Sequence, residues 1–173
     1  MEKLEIIGGK KLQGSINISG SKNASLPILA ATILVNKVTL NNIPQVKDID
    51  TMTELLTSLG SKIYINKNKK KIKIHNYKSN KKVAKYKYVK TMRAGILVLG
   101  SLLSKFGKAK VSLPGGCAIG LRPVNLHIEA LKKMGVKIKI IEGYIYATAN
   151  NGLKGTKISF PKVSVGATEN LII

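Results

Sequence analysis

Leu59-Gly60-Ser61-Lys62-Ile63 recurs further along the chain as Met134-Gly135-Val136-Lys137-Ile138. In both places a helical pattern of apolar residues ends at a glycine, and a strand-like stretch follows. Upstream of these copies, Val38-Thr39-Leu40 corresponds to Val111-Ser112-Leu113. A period of about seventy residues is too long for a common solenoid repeat but fits a βαβαββ unit used as a building block. The repeat therefore predicts an α/β fold made of such units.

Hydrophobic spacing and turn residues predict the elements within each unit. For the first unit these are strands at 4–7, 14–19 and 37–40, a helix at 24–34, a helix capped by Asp48 or Asp50 that Gly60 ends, and a hairpin of 62–66 and 71–75. For the second they are an extended stretch at 81–89, a helix from 92 or 93 to 106, a strand at 109–113, a helix at about 123–134, and a hairpin of 136–141 and 144–149 that turns at Glu142-Gly143. Residues 155–159 echo 14–19 and open a third copy.

A glycine-rich segment, residues 114–123, reads PGGCAIGLRP and holds the only cysteine and one of only two arginines. Glycines on both sides of Cys117 disfavour regular structure, so we expect the thiol to lie on a loop between a strand and a helix. Arg122 could stabilise a thiolate or hold an anionic ligand beside it. The alternative is that Cys117 is a small buried apolar residue, which is common for a lone cysteine.

The formal charge of +22 is the most unusual feature of the composition, and it comes from 28 lysines and 2 arginines. Such a charge favours nucleic-acid binding in general. However, proteins that bind nucleic acids use arginine for bidentate contacts and aromatic residues for stacking, and here aromatics make up only 5% with no tryptophan. We interpret the lysines as solvated surface. Arg93 and Arg122 then mark positions where lysine cannot replace the planar guanidinium.

Each unit also carries a basic residue where its first strand gives way to a helix, namely Lys22, Arg93 and Lys162. Units packed around a pseudo-threefold axis would bring these residues to one end, near helix N-termini that attract anions. The alternative is that three of thirty basic residues fall at similar intervals by chance. We favour a shared anion site.

Length and residue types limit the class of protein. A chain of 173 residues with 44% hydrophobic residues can bury a substantial core. One cysteine excludes an intrachain disulfide and a cysteine-based zinc site. The N-terminal residues lack the pattern of a signal peptide and the apolar runs are too short for a membrane span, so a cytoplasmic protein is expected. His75 is interpreted as a strand-end polar residue and His127 as a residue on a helix surface.

Five segments in one order point to a family. They are Gly20-Ser21-Lys22-Asn23-Ala24-Ser25, Met92-Arg93-Ala94, Leu113-Pro114-Gly115-Gly116-Cys117, Gly120-Leu121-Arg122-Pro123-Val124 and Lys162-Val163-Ser164-Val165-Gly166-Ala167-Thr168. Together they closely resemble the UDP-N-acetylglucosamine enolpyruvyl transferase family. The resemblance covers the whole chain. It implies an inside-out α/β barrel built from βαβαββ units, of which this chain holds two units and the start of a third.

The resemblance also implies a reaction. The 3-hydroxyl of UDP-N-acetylglucosamine adds to C2 of phosphoenolpyruvate, C3 gains a proton, and phosphate is eliminated, without a metal or cofactor. Cys117 would donate the proton to C3 and would be alkylated by fosfomycin. Lys22, Asn23 and Arg122 would bind phosphoenolpyruvate. The residues expected around UDP-N-acetylglucosamine are Arg93, Arg122, Pro123, Val124, Asn125, Leu126, Lys162, Val163, Ser164 and Val165.

Two departures from the family pattern accompany the resemblance. Asn125 stands where the family usually has aspartate, which removes a charge and part of the acceptor capacity. Family members are also much longer, and their remaining part carries an aspartate base and the opposite wall of the cleft. In the family, residues 1–21 pack with that second domain. Residues 22–173 would form the first domain, with units at about 22–76, 77–150 and 151–173.

Three functions therefore remain under consideration. The leading one is the first committed step of peptidoglycan synthesis, with phosphoenolpyruvate and UDP-N-acetylglucosamine as partners and with no nucleic acid or membrane. The second is a non-catalytic remnant or half-protein that needs a complementary chain or self-association. The third is a basic nucleic-acid-binding module.

Overall fold

The computed structural model describes residues 3–68, 70–77, 80–115 and 124–173. The first unit contains α1 (Lys22–Ala31), a 3-10 turn (Thr32–Leu34), β1 (Lys37–Leu40), α2 (Lys47–Ser58), β2 (Lys62–Asn66) and β3 (Lys71–His75). The second contains β4 (Val83–Ala84), α3 (Tyr86–Val89), a 3-10 helix (Arg93–Leu97), α4 (Val98–Phe106), β5 (Lys108–Ser112), α5 (Asn125–Lys133), β6 (Lys137–Ile141) and β7 (Tyr144–Thr148). The start of the third contains α6 (Val165–Ile172).

Each of the first two units builds one sheet around a hairpin. The first sheet has the order β1-β3-β2 with antiparallel neighbours, and the second has the order β4-β5-β7-β6, in which β4 runs parallel to β5. Isoleucines on the inner faces, such as Ile74 and Ile145, are fully buried, whereas Tyr64 on the outer face is 56% exposed. The sheets therefore form the outside of the fold, with their apolar faces on the core.

The register of the strands confirms the repeat and corrects one detail of it. Lys62 pairs with His75 in the first hairpin and Lys137 with Thr148 in the second, so the two hairpins are equivalent. In the adjacent strands Leu40 pairs with Ile72 and Val111 with Ile145. Leu40 is therefore equivalent to Val111, and the sequence match of Leu40 to Leu113 was wrong by two residues. A shift of two keeps every side chain on the same face, so the sequence pattern does not reveal it.

The helices that open the units lie inside and run parallel to one another. Ser101 on α4 donates a hydrogen bond to the Ala30 carbonyl at the end of α1 (2.8 Å), and Lys105 reaches the Ile33 carbonyl (2.6 Å). On the other side, the Gly100 N–H donates to the side chain of Asn170 on α6 (2.9 Å). Fully buried leucines such as Leu29 and Leu99 fill the space between these helices, each contributing about 1.5–3 kcal/mol. Helices inside and sheets outside agree with the predicted inside-out arrangement.

The predicted strands at 4–7, 14–19 and 155–159 are not formed in the structure. Their apolar side chains lie in solvent, with Ile16 88% and Ile18 84% exposed. An isolated strand leaves its N–H and C=O groups without partners, so an alternating pattern alone does not hold a segment extended in a sheet. Whether residues 1–21 pack with a second domain stays a prediction.

Two element boundaries also differ from the sequence analysis. The extended stretch predicted at 81–89 divides into the short strand β4 and the helix α3. Helix α2 begins earlier than predicted, with Val46 at its N-cap, so that Asp48 and Asp50 lie in its first turn and do not cap it. Carboxylates in the first turn still stabilise the helix through its dipole. The helices in the described ranges are all too short or too polar to cross a membrane.

Candidate functional site

The three inner helices begin at the same end of the fold. The Ser101–Ala30 and Gly100–Asn170 hydrogen bonds join corresponding levels of α1, α4 and α6, and the helices run in the same direction. Their starts, at Lys22, at Arg93 and at Val165, therefore lie together. The two helices that begin at Lys22 and Arg93, and the helix that follows Lys162, thus begin at one end of the fold. The joint contact of Lys22, Arg93 and Lys162 with one ligand stays a prediction.

Two of these helix starts are capped in the same way. The Ser21 Oγ accepts a hydrogen bond from the Ala24 N–H (3.3 Å), and the Ser164 Oγ accepts one from the Ala167 N–H (3.3 Å). In both, a hydroxyl four residues after the cap donates back to the carbonyl of the capping serine, namely Ser25 (2.7 Å) and Thr168 (2.9 Å). Ser164 was predicted only as a sugar-nucleotide residue. The shared Ser-x-x-Ala-Ser/Thr pattern was the signal for its capping role.

The backbone before α1 is held close to the loop after β1. The Gly20 N–H donates to the Asn42 side chain (3.1 Å), and the Asn42 side chain donates to the Ile18 carbonyl (3.4 Å). A Cβ on Gly20 would lie 1.7 Å from the Asn42 carbonyl oxygen, so only glycine fits there. The contact between Gly20 and Asn42 therefore fixes the backbone position just before Lys22 and Asn23.

The ammonium of Lys22 forms an ion pair with Asp48 on α2, with 3.0 Å between Nζ and Oδ2. The two side chains are 48% and 38% exposed, so the pair contributes at most about 1 kcal/mol. Because the ion pair is weak, Lys22 can exchange the Asp48 carboxylate for an anionic ligand at little cost in free energy. Asn23, its neighbour, is also exposed.

His127, on α5, is buried against α6, and the prediction of a surface position was wrong. It is 4% exposed, and its Nδ1 lies 3.0 Å from the Nδ2 atom of Asn170. Burial, and to a smaller extent the positive charge of Arg93, lower the pKa of His127 to about 4. The spacing of His127 with the buried residues Ala130 and Leu131 was the signal that sequence analysis missed.

The other predicted sugar-nucleotide residues differ in exposure. Val124 is the N-cap of α5, Asn125 is exposed at its first position, and Leu126 is buried in the core. Lys162 is exposed before α6, as are Val163 (96%) and Val165 (69%). The structure therefore presents Asn125, Lys162, Val163 and Val165 to solvent and places the Leu126 side chain in the core.

Cys117, Arg122 and Pro123 lie outside the described residues, but the residues on both sides of them are placed. Before them, a Cβ on Gly115 would lie 2.6 Å from the Lys90 carbonyl oxygen, so the backbone of Gly115 packs against the chain that leads to Arg93. After them, the ring of His127 packs against the start of α6, where a Cβ on Gly166 would lie 3.7 Å from Cε1 of the ring. The residues on both sides of the segment 116–123 therefore lie at the end of the fold where the inner helices begin.

Comparison with known proteins agrees with this arrangement. Residues 6–173 match the model of the family described as EPSP synthase (3-phosphoshikimate 1-carboxyvinyltransferase). A UDP-N-acetylglucosamine 1-carboxyvinyltransferase from Pelagibacter ubique (strain HTCC1062) is 67% identical over 174 residues, which cover 100% of this chain and 41% of the relative. The enzyme of the same name from Rickettsia prowazekii (strain Madrid E) is 55% identical over 175 residues, 100% of this chain and 42% of the relative. The chain thus spans well under half the length of these relatives.

Solved structures show the same fold at low identity. The enolpyruvyl transferase NikO from Streptomyces tendae superposes with a TM-score of 0.68 at 18% identity, over 84% of this chain and 32% of that one. An EPSP synthase from Acinetobacter baumannii superposes with a TM-score of 0.69 at 17% identity, over 91% of this chain and 37% of that one. The fold is therefore the inside-out α/β architecture of the enolpyruvyl transferases, and the chain belongs to the EPSP synthase family.

Proposed function

We propose that the chain is the N-terminal portion of an enzyme that transfers the enolpyruvyl group of phosphoenolpyruvate to the 3-hydroxyl of UDP-N-acetylglucosamine. The reaction would release phosphate and begin peptidoglycan synthesis in the cytoplasm. The proposal rests on the relatives that carry this activity in their names. The structural observation that supports it is that Gly115 and His127, on either side of the Cys117 segment, pack against Lys90 and against the start of α6.

The site would bind two anionic substrates through fixed cations and N–H donors. Lys22, Asn23 and Arg122 are proposed to bind the carboxylate and phosphate of phosphoenolpyruvate. Arg93 and Lys162, together with residues 122–126 and 163–165, are proposed to bind the sugar nucleotide. Donors that are held in place stabilise charge as it develops on the phosphate and carboxylate groups, because they need not reorganise during the reaction.

Cys117 is proposed as the catalytic acid. The sugar hydroxyl gives its proton to the aspartate base expected in the remaining part of the protein, its oxygen forms a bond to C2 of phosphoenolpyruvate, and the thiol of Cys117 gives its proton to C3. The C2–O bond to phosphate then breaks with its electron pair leaving on phosphate, and a proton of C3 returns to the Cys117 thiolate, which regenerates the double bond and the thiol. A group that donates a proton in this way must lie within hydrogen-bond reach of C3.

A chimera tests the proposal directly. Residues 1–173 replace the matched 174 residues of the Pelagibacter ubique relative, and phosphate release is measured with phosphoenolpyruvate and UDP-N-acetylglucosamine. We expect turnover that Cys117→Ala abolishes. The same assay with shikimate 3-phosphate as acceptor separates this activity from that named in the family description. Release with shikimate 3-phosphate alone, or turnover that persists in Cys117→Ala, would contradict the proposal.

A non-catalytic half-protein is the second candidate function. It is supported by the exposed apolar residues of the N-terminal segment, which include Leu4, Ile6, Ile7 and Leu12 at 80–93% exposure. Such a surface fits packing against further protein of the same family. An inactive chimera that folds and binds UDP-N-acetylglucosamine would favour this alternative.

A further inference from the structure

Asn170 joins three helices through one side-chain amide. Its Oδ1 accepts a hydrogen bond from the N–H of Gly100 in the first turn of α4 (2.9 Å), and its Nδ2 lies 3.0 Å from Nδ1 of His127 on α5. Asn170 itself is on α6 and is 1% exposed. Position 100 accepts only glycine, because a Cβ there would lie 2.6 Å from the Oδ1 atom of Asn170.

These contacts determine which nitrogen of His127 carries the proton. The Gly100 N–H can only donate, so the atom of Asn170 that faces it must be the oxygen. The NH2 group of Asn170 then faces His127 and can only donate, so Nδ1 of the ring must accept. A neutral imidazole that accepts at Nδ1 carries its proton on Nε2. The amide of Asn170 therefore selects one tautomer.

The Nε2 edge of the ring faces the start of α6. A Cβ on Gly166 would lie 3.7 Å from Cε1 and 3.8 Å from Nε2 of His127. None of the described residues accepts a hydrogen bond from Nε2. Ser164 is the N-cap of α6, and Val165 and Gly166 are its first two residues. The backbone N–H groups of a first turn have no acceptor within the helix. The Nε2 atom of the ring thus lies beside the first turn of α6.

We propose that Asn170 is a positioning residue that holds His127 as the neutral Nε2–H tautomer, so that the ring donates a hydrogen bond to a phosphate group of the sugar nucleotide at the start of α6. The identity of this ligand rests on the proposed function. A neutral donor suits the position, because an imidazolium would repel the nearby Arg93 and could not accept from Asn170. Arg93 supplies the charge, and His127 supplies a directed donor without adding to it.

The tautomer can be measured without any ligand. The chain contains two histidines, so nitrogen-15 NMR of the imidazole rings in His75→Gln reports His127 alone. We expect a protonated Nε2 and an unprotonated Nδ1 at neutral pH. In Asn170→Asp the carboxylate still accepts from Gly100 but cannot donate to the ring, so the proton should move to Nδ1. An Nδ1–H ring or an imidazolium in the wild-type chain at neutral pH would overturn the role of Asn170.

The ligand is tested by calorimetric titration of the chimera with UDP-N-acetylglucosamine. We expect Asn170→Asp to weaken binding about tenfold, the effect of losing one hydrogen bond to a charged group. Glu169→Gln makes the reverse exchange of carboxylate and amide one residue earlier on α6, and should leave binding unchanged. Equal weakening in both variants would mean a general effect on α6 and would overturn the proposal.

Replacing the ring itself covers the case in which Asn170→Asp does not fold. In His127→Gln the amide can accept from Asn170 and donate toward α6, whereas His127→Leu keeps only the volume. We expect binding within about threefold of wild type for glutamine and about tenfold weaker for leucine. Equal affinities of the two variants, or no binding by the wild-type chimera, would overturn the ligand assignment. A chimera that binds the sugar nucleotide as described but releases no phosphate contradicts the proposed function and leaves this inference intact.

Discussion

The backbone of Gly115 lies directly against the carbonyl group of Lys90. A Cβ at Gly115 would lie 2.6 Å from the Lys90 oxygen and 3.2 Å from its Cα, distances that backbone atoms cannot accommodate without moving. Lys90 ends the short helix α3, three residues before Arg93. The first glycine of the PGGC motif is thus required by the close approach of two chain segments. This contact fixes the position of Gly115, the last described residue before Cys117.

We therefore expect Gly115→Ala to displace the segment that carries Cys117. The added methyl group should cost about 1–3 kcal/mol of stability, as overpacking generally does, and should reduce turnover of the chimera. Urea unfolding and phosphate release measure the two effects. Gly155→Ala is the matched control, because a Cβ there meets nothing within 4 Å. Equal stability and equal turnover of the two variants would show that the contact between Gly115 and Lys90 does not require glycine.

The paired caps give a second prediction. Ser21→Ala and Ser164→Ala each remove the side-chain acceptor of one helix start, and each should destabilise the chain by about 1 kcal/mol. The two caps lie on different helices, so the double variant should lose about the sum. Ser104→Ala, at an exposed position within α4, should leave the free energy of unfolding nearly unchanged. A loss in Ser104→Ala as large as in the cap variants would contradict the assignment.

The buried histidine makes stability depend on pH. The pKa of His127 is lowered to about 4 in the folded chain, mainly by burial, whereas a histidine in an unfolded chain has a pKa of about 6.5. As the pH falls below about 6.5, the unfolded state takes up a proton that the folded state does not. The free energy of unfolding is therefore unaffected by protonation of His127 above about pH 6.5. It falls as the pH drops from 6.5 toward 4, by about 3 kcal/mol in total.

Urea unfolding at about pH 7 and pH 4.5 measures this effect. The free energy of unfolding should fall more between these pH values in the wild-type chain than in His127→Gln, which has no titrating group at that position. His75→Gln is the control, because it removes the other histidine and should keep the wild-type dependence. If His127→Gln loses as much stability as the wild type on acidification, another group is responsible.

The sequence predicts the features that depend on neighbouring residues better than those that depend on contacts between distant parts of the chain. The hairpin turn at Glu142-Gly143 and the helix end at Gly60 were predicted correctly, because a positive φ at glycine and an alternating pattern are local signals. The buried position of His127 was not, because its partner Asn170 lies 43 residues away in the third unit. The strand predicted at 14–19 did not form. An alternating pattern places the apolar side chains on one face, but a strand also needs a neighbouring strand to pair with.

Arg93 should not be replaceable by lysine in the chimera. Its guanidinium is proposed to bind a phosphate group in two hydrogen bonds, which an ammonium cannot reproduce. We expect Arg93→Lys to raise the KM for UDP-N-acetylglucosamine about tenfold, with little change in the thermal midpoint. Lys73→Arg, the reverse exchange on the exposed face of β3, should change neither. A fall in the thermal midpoint that accounts for the lost activity would mean that Arg93 is structural.

The 173-residue chain by itself should not catalyse the transfer. Lys22, Arg93 and Lys162 are proposed to provide one wall of a site, and the chain spans 41% of the Pelagibacter ubique relative. Catalysis of this kind depends on fixed charges around both substrates and on exclusion of water, which one open wall cannot provide. Phosphate release by the purified chain should therefore remain at background, while the chimera turns over. Turnover by the chain alone that approaches the chimera's and disappears in Cys117→Ala would contradict this, and would indicate that the chain rebuilds the second wall by self-association.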